Sequence, residues 1–115
     1  MKSSALLPND QGAVCALQIP GEPVSHGIVS QALLTAPGLR VTLFQFAAGQ
    51  ELSEHTSPAR VLVQVIAGEC EFSIAGQPRT LKPGELLHLP PGAPHAVRAA
   101  TALTFLVIQA APPAK

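Results

Sequence analysis

Four histidines, His26, His55, His88 and His95, are the side chains of this sequence best suited to chemistry. Imidazole ligates divalent metals through either ring nitrogen and exchanges protons close to neutral pH. Two imidazoles facing one another hold a metal, bind an anion or move a proton without metal. Oxygen donors stand nearby in sequence, at Glu51, Glu54, Ser57 and Gln64. Ser57 beside a histidine suggests a nucleophile and its base, but no strained-turn motif surrounds it. The only aspartate, Asp10, lies far upstream, so that reading is set aside. Arg40, Arg60, Arg79 and Arg98 are candidates for a carboxylate or phosphate clamp. Arg60 and Arg98 lie nearest the histidine segments, and four scattered arginines otherwise read as surface charges. A lone histidine has a plainer role as a hydrogen-bonded, partly buried side chain, and His26 and His88 are read that way first.

The elements that must position these groups are strands. The chain has 115 residues, room for one domain, and its 12 prolines would break most helical windows. Charged residues make up 12% of it, and seven Lys and Arg balance seven Asp and Glu. A nucleic-acid partner calls for a basic surface with stacking aromatics, and the sequence has neither. Hydrophobic residues at 47% exclude a disordered chain. The longest apolar stretch, residues 102–111, is about half the length of a membrane helix. The N-terminal apolar run is too short for a signal peptide. Cys15 and Cys70 show no metal or disulfide spacing and read as free thiols. These features point to a cytoplasmic location, with no membrane and no nucleic acid.

Turn signals arrive every eight to twelve residues after Val24, the spacing of an all-β sandwich or barrel. Strands are predicted over 24–34, 39–46, 60–67, 69–74, 79–81, 85–89, 95–99 and 102–109, with Ala75-Gly76-Gln77-Pro78 as one of the turns. Cys70, Phe72 and Ile74 alternate strictly with Glu69, Glu71 and Ser73, which puts the apolar set inside. Residues 1–22 form a lead with a possible edge strand over 13–19, residues 23–110 the barrel and residues 111–115 a tail. The strands over 61–66 and 103–108 are apolar on both faces. Their outer faces therefore need cover, from the lead or from a second copy, and a homodimer is the expectation.

Residues 49–99 carry a resemblance. Gly49, His55, Ser57, Val61 and Gly68 fall at the intervals of the motif G-x5-H-x-H-x3-E-x6-G. Gly84, Pro90, Gly92, His95 and Ala99 fall at those of G-x5-P-x-G-x2-H-x3-N. Both motifs belong to the cupin superfamily, and the sequence resembles its small single-domain members of the RmlC-like, cupin 2 type. The resemblance implies an all-β, jelly-roll-like double-stranded β-helix barrel around a central cavity. It places His55 and His95 in that cavity, lined further by Ser57, Val61, Val63 and Phe72, with Gln64 facing out.

In the family, three histidines and a carboxylate hold a divalent metal such as Fe, Mn, Ni or Zn. Here Ser57 and Val61 stand at two of those four positions, which leaves His55 and His95, with His26 as a weak third candidate. Catalytic metal sites normally keep at least three protein ligands. A His–Asp base with a Tyr acid, as in sugar-nucleotide epimerases of this fold, is absent, because the chain has no Tyr. The function expected is binding of a small molecule in the barrel, with a weakly held divalent metal as an option. The alternatives are a metal-dependent oxygenase or isomerase using His55, His95 and His26, and a structural or regulatory cupin with a vestigial site. Whether the protein is an enzyme, and its catalytic residues, stay open at this stage.

Overall fold

The computed structural model describes residues 5–17 and 27–111. Nine strands follow in order: β1 (Ile28–Ala36), β2 (Leu39–Phe46), β3 (Glu51–His55), β4 (Arg60–Ala67), β5 (Cys70–Ile74), β6 (Gln77–Leu81), β7 (Leu86–Leu89), β8 (His95–Ala99) and β9 (Leu103–Ala110). They form a five-stranded sheet, β1-β2-β9-β4-β7, and a four-stranded sheet, β3-β8-β5-β6. All pairings are antiparallel.

The two sheets close on one interior, where period-two alternation from each delivers its apolar residues. Val61, Val63 and Val65 of β4, Leu87 and Leu89 of β7, and Leu103 and Phe105 of β9 come from the larger sheet. Cys70, Phe72, Leu81, Val97 and Ala99 come from the smaller. All four phenylalanines belong to this interior. Phe44 and Phe105 stack with ring centroids 5.4 Å apart, and Phe46 meets both edge-on.

Where the strands differ from the sequence expectation, local chemistry explains it. β3 was not foreseen, because Leu52 is the only apolar residue in Glu51–His55 and the strand lies at a sheet edge. β6 begins at Gln77, two residues earlier than expected, and carries Pro78 on the other edge of the same sheet. Edge strands tolerate the missing N–H of proline. The turn before it therefore shrinks to Ala75-Gly76, both with positive φ (50° and 81°), the geometry of a type I′ hairpin. β1 runs on to Ala36 with a bulge between Ala32 and Leu34, while its expected start at 24–26 lies outside the described residues.

The lead forms no strand over 13–17, and 18–19 lie outside the described residues. Its first part instead lies along β1: the Leu6 and Leu7 N–H groups donate to the Ala32 and Leu33 carbonyls, and the Asn9 amide to that of Thr35. Leu33 and Leu43, 2% and 0% exposed, are buried outside the interior cluster. No helix among the described residues is long and apolar enough to cross a membrane.

Candidate functional site

The last residue of β3 and the first of β8 face each other: His55 and His95 are partners in the ladder, with ring centroids 4.2 Å apart. A register shift between Leu52 and His55 lets β3 bring its terminal imidazole to this point. The loops beyond the two strands are tied together, since the Gly92 N–H donates to the Ser57 carbonyl at 2.8 Å. Ser57 Oγ accepts from the Ala59 N–H at 3.1 Å and so shapes its own loop. Ala75, in the β5–β6 turn, donates its N–H to the Pro94 carbonyl immediately before His95.

Each imidazole is held by the backbone two residues before it. His55 Nδ1 lies 2.8 Å from the Ser53 carbonyl and His95 Nδ1 2.9 Å from that of Ala93. A carbonyl oxygen only accepts, so Nδ1 carries the proton and Nε2 of the neutral ring keeps its lone pair. No buried side-chain N or O among the described residues lacks a partner. Neither Nε2 has a protein hydrogen bond among the described residues; that of the buried His95 therefore opens on accessible space, which the exposed His55 also lines.

That space is a cavity of about 320 Å³. Phe44, Leu52, Val61, Val63, Phe72, Leu89, Val97, Phe105 and Val107 give it apolar walls, and the histidines, Thr56, Ser57 and Gln109 its polar groups. His95 is only 7% exposed and lies over Phe72 with nearly parallel rings, centroids 6.3 Å apart, whereas His55 is exposed at the mouth. The positions taken from the resemblance, His55, Ser57, Val61, Val63, Phe72 and His95, thus line one space.

The remaining candidates do not join it. His88 is exposed on β7, where its Nε2 accepts from Arg60 Nη1 at 2.8 Å. Gln64 is exposed, and Glu51 and Glu54 are absent from the lining. His26 lies outside the described residues. Of the arginines, Arg60 and Arg98 are exposed away from the cavity, contrary to their proximity in sequence to the histidines. Arg40 instead lines a second cavity of about 220 Å³. Gln109, which sequence reading passed over as a strand terminus, lines both cavities. Its signal was parity: Leu103, Phe105, Val107 and Gln109 share one face of β9.

The donor set bears directly on metal. Among the described residues no group of three or more His, Cys, Asp or Glu converges. Two imidazoles, a serine already accepting a hydrogen bond, and a valine do not fit a metal centre with three protein ligands.

A profile of the cupin domain family matches residues 42–109. Among solved structures, a conserved protein of unknown function from Streptococcus pyogenes superimposes with a TM-score of 0.81 at 26% identity, over 97% of this chain and 98% of its own. A cupin superfamily protein from Desulfitobacterium hafniense gives 0.78 at 24% identity, over 93% and 96%. A cupin 2 conserved barrel domain protein from Leptotrichia buccalis is 35% identical with a TM-score of 0.72, over 78% of this chain and 44% of its own. No curated protein matches. The matched profile spans more than half the sequence and both histidine segments, and the chain belongs to the cupin family.

Proposed function

We propose that the protein binds a small, largely apolar molecule in the barrel, with Nε2 of His55 and of His95 accepting hydrogen bonds from the ligand. The supporting observation is the pair of backbone-anchored rings, which leaves two neighbouring acceptors at the edge of an apolar space. At about 320 Å³ the cavity is at the small end of ligand sites, which run from roughly 300 to 1,000 Å³. A hydroxyl, an amide N–H or an un-ionised acid supplies the complementary donor. Exclusion of water by Phe44, Phe72 and Phe105 strengthens such hydrogen bonds. The donor set among the described residues, two imidazoles, gives no basis for routing a reaction through a metal. Two free cysteines, one of them buried, accord with a reducing, cytoplasmic setting.

Phenol and toluene, equal in shape and differing in one hydroxyl, are the probes. Titration followed by the methyl resonances of Val61, Val63 and Val97 is expected to show phenol binding about tenfold tighter than toluene. In His95→Ala that preference disappears. Absence of cavity shifts with both probes at about 10 mM overturns the reading.

A further inference from the structure

The two cavities have one residue in common, Gln109, and the sheet register says what lies beyond it. Thr35 pairs with Arg40, Arg40 with Gln109, and Gln109 with Val61, across β1, β2, β9 and β4. Residues directly opposite in a ladder point to the same face. Val61 lines the main cavity, so Gln109, Arg40 and Thr35 form a polar row on that same inner face. The row begins at the main cavity's wall and continues into the second cavity, where Ala36, Gly38, Ala59 and Ala111 leave room.

The charges along this path are one-sided. Among the described residues neither lining contains Asp, Glu or Lys, and Arg40 is the one permanently charged side chain in the two together. In a chain with as many acids as bases, two adjoining cavities whose described linings carry a single guanidinium, on the exposed Arg40, and no carboxylate are complementary to a monoanion. One guanidinium matches the two oxygens of a carboxylate in a bidentate pair. A phosphate group would call for more, such as a lysine or a helix N-terminus, and among the described residues the linings hold neither.

The geometry points to a two-ended ligand, an amphiphilic monocarboxylate. Its hydrogen-bond donor meets His55 and His95, its apolar middle crosses the cavity, and its carboxylate passes Gln109 to Arg40. This rests on the small-molecule reading above and adds the ligand class. Facing sheets lie about 10 Å apart, and a chain of about six carbons reaches across only with its terminal oxygens and a hydrogen bond at each end, which sets the length of the ligand.

The test compares ω-hydroxyhexanoate with 1,6-hexanediol, which keeps the length and the terminal hydroxyl and replaces the carboxylate with a second, uncharged hydroxyl. Affinities are measured by calorimetry and by shifts of the His55 and His95 ring resonances. The hydroxy acid is expected to bind about fivefold tighter than the diol. Arg40→Gln abolishes that advantage, while Arg98→Gln, on an exposed arginine outside both cavities, leaves both affinities at their native values. Equal binding of the two probes, or an equal loss in the two arginine variants, overturns the carboxylate assignment and leaves the cavity reading standing. Failure of both probes to shift the histidines at about 10 mM overturns the two together.

Discussion

His55 and His95 are cross-strand partners whose Nδ1 atoms both lie against the carbonyl two residues upstream, Ser53 for one and Ala93 for the other. The site thereby has the same local device on two different strands. Each ring is oriented by its own backbone and needs no third side chain, which is how a pair without a neighbouring carboxylate stays pointed at the cavity. Such backbone anchoring selects the tautomer and leaves the opposite nitrogen as acceptor.

The tautomer is directly measurable. Long-range proton–nitrogen spectra of imidazole-labelled protein are expected to show Nδ1–H for both His55 and His95 while the rings are neutral. His88, whose Nε2 accepts from Arg60, is expected to show the same tautomer on the outside of the barrel. An Nε2–H signal from His95 would remove the acceptor on which the binding site depends.

Metal affinity follows from the same count of donors. Two imidazoles without a carboxylate are expected to hold Zn(II) or Ni(II) with a Kd of about 100 μM or weaker near neutral pH. Calorimetric titration of untagged protein checks this, and the weak binding is expected to vanish in His55→Ala. A one-to-one complex at nanomolar metal would require further ligands and contradict the two-donor site.

Cys70 makes a prediction about pH. It is buried between the sheets, and desolvation pushes its thiol from 9.0 to about 11. The unfolded chain ionises first, so stability from this group is intact below about pH 9 and is lost as pH rises toward 11. The full loss amounts to about 3 kcal/mol, at 1.36 kcal/mol per unit over about two units. Urea midpoints measured across the window are expected to fall in the native sequence and to flatten in Cys70→Ala. At neutral pH a thiol reagent is expected to modify the half-buried Cys15 and to reach Cys70 only on unfolding.

The parts of this architecture that could be read from sequence are those where one physical rule acts alone. Cys70, Phe72 and Ile74 alternate with polar neighbours, so β5 and its inward face were plain. Gly68 sits at a positive φ of 85°, and a Cβ there would run into the Ala102 carbonyl oxygen, so the β4–β5 turn announced itself through glycine. Elements at sheet edges were harder. β3 needs no apolar pattern to pair with β8, and Pro78 reads as a turn residue although an edge strand accepts it. The histidine pair was legible as motif spacing; Arg40 stood among four clamp candidates, and proximity in sequence favoured Arg60 and Arg98 over it. Arg40 stands far from His95 in sequence, and only the β2–β9–β4 register sets it in line with the cavity wall.

The two turns that frame the smaller sheet can be tested in opposite directions. Gly68→Ala combines a backbone strain with a main-chain clash and is expected to cost about 3 kcal/mol in chemical unfolding. Ala75 occupies a left-handed position, at φ 50°, that asparagine adopts more readily. Ala75→Asn is therefore expected to stabilise by about 0.5 kcal/mol, with the N–H bond to the Pro94 carbonyl retained. A destabilised Ala75→Asn would count against the type I′ assignment.

The outer face of the five-stranded sheet supports the last prediction. Leu43 pairs with Leu106, Leu106 with Gln64, and Gln64 with Leu86, so these four residues form one row on the face turned from the cavity. Val41, Ile108, Leu62 and His88 make the next. At the β1–β2 end Leu43 is fully buried, and the lead is hydrogen-bonded along β1 there. Toward β7 the cover thins: Leu62, Leu106 and Ile108 are half-buried, and Leu86 is 63% exposed. An apolar strip of this kind in a chain of low charge is expected to pair with its copy. Sedimentation equilibrium at about 50 μM is expected to give twice the chain mass, and Leu62→Lys to reduce it to one chain with the strand content unchanged. Because the strip lies on the opposite face from the histidines, that variant is expected to bind phenol as the native chain does. A native protein that sediments as a single chain would overturn this pairing.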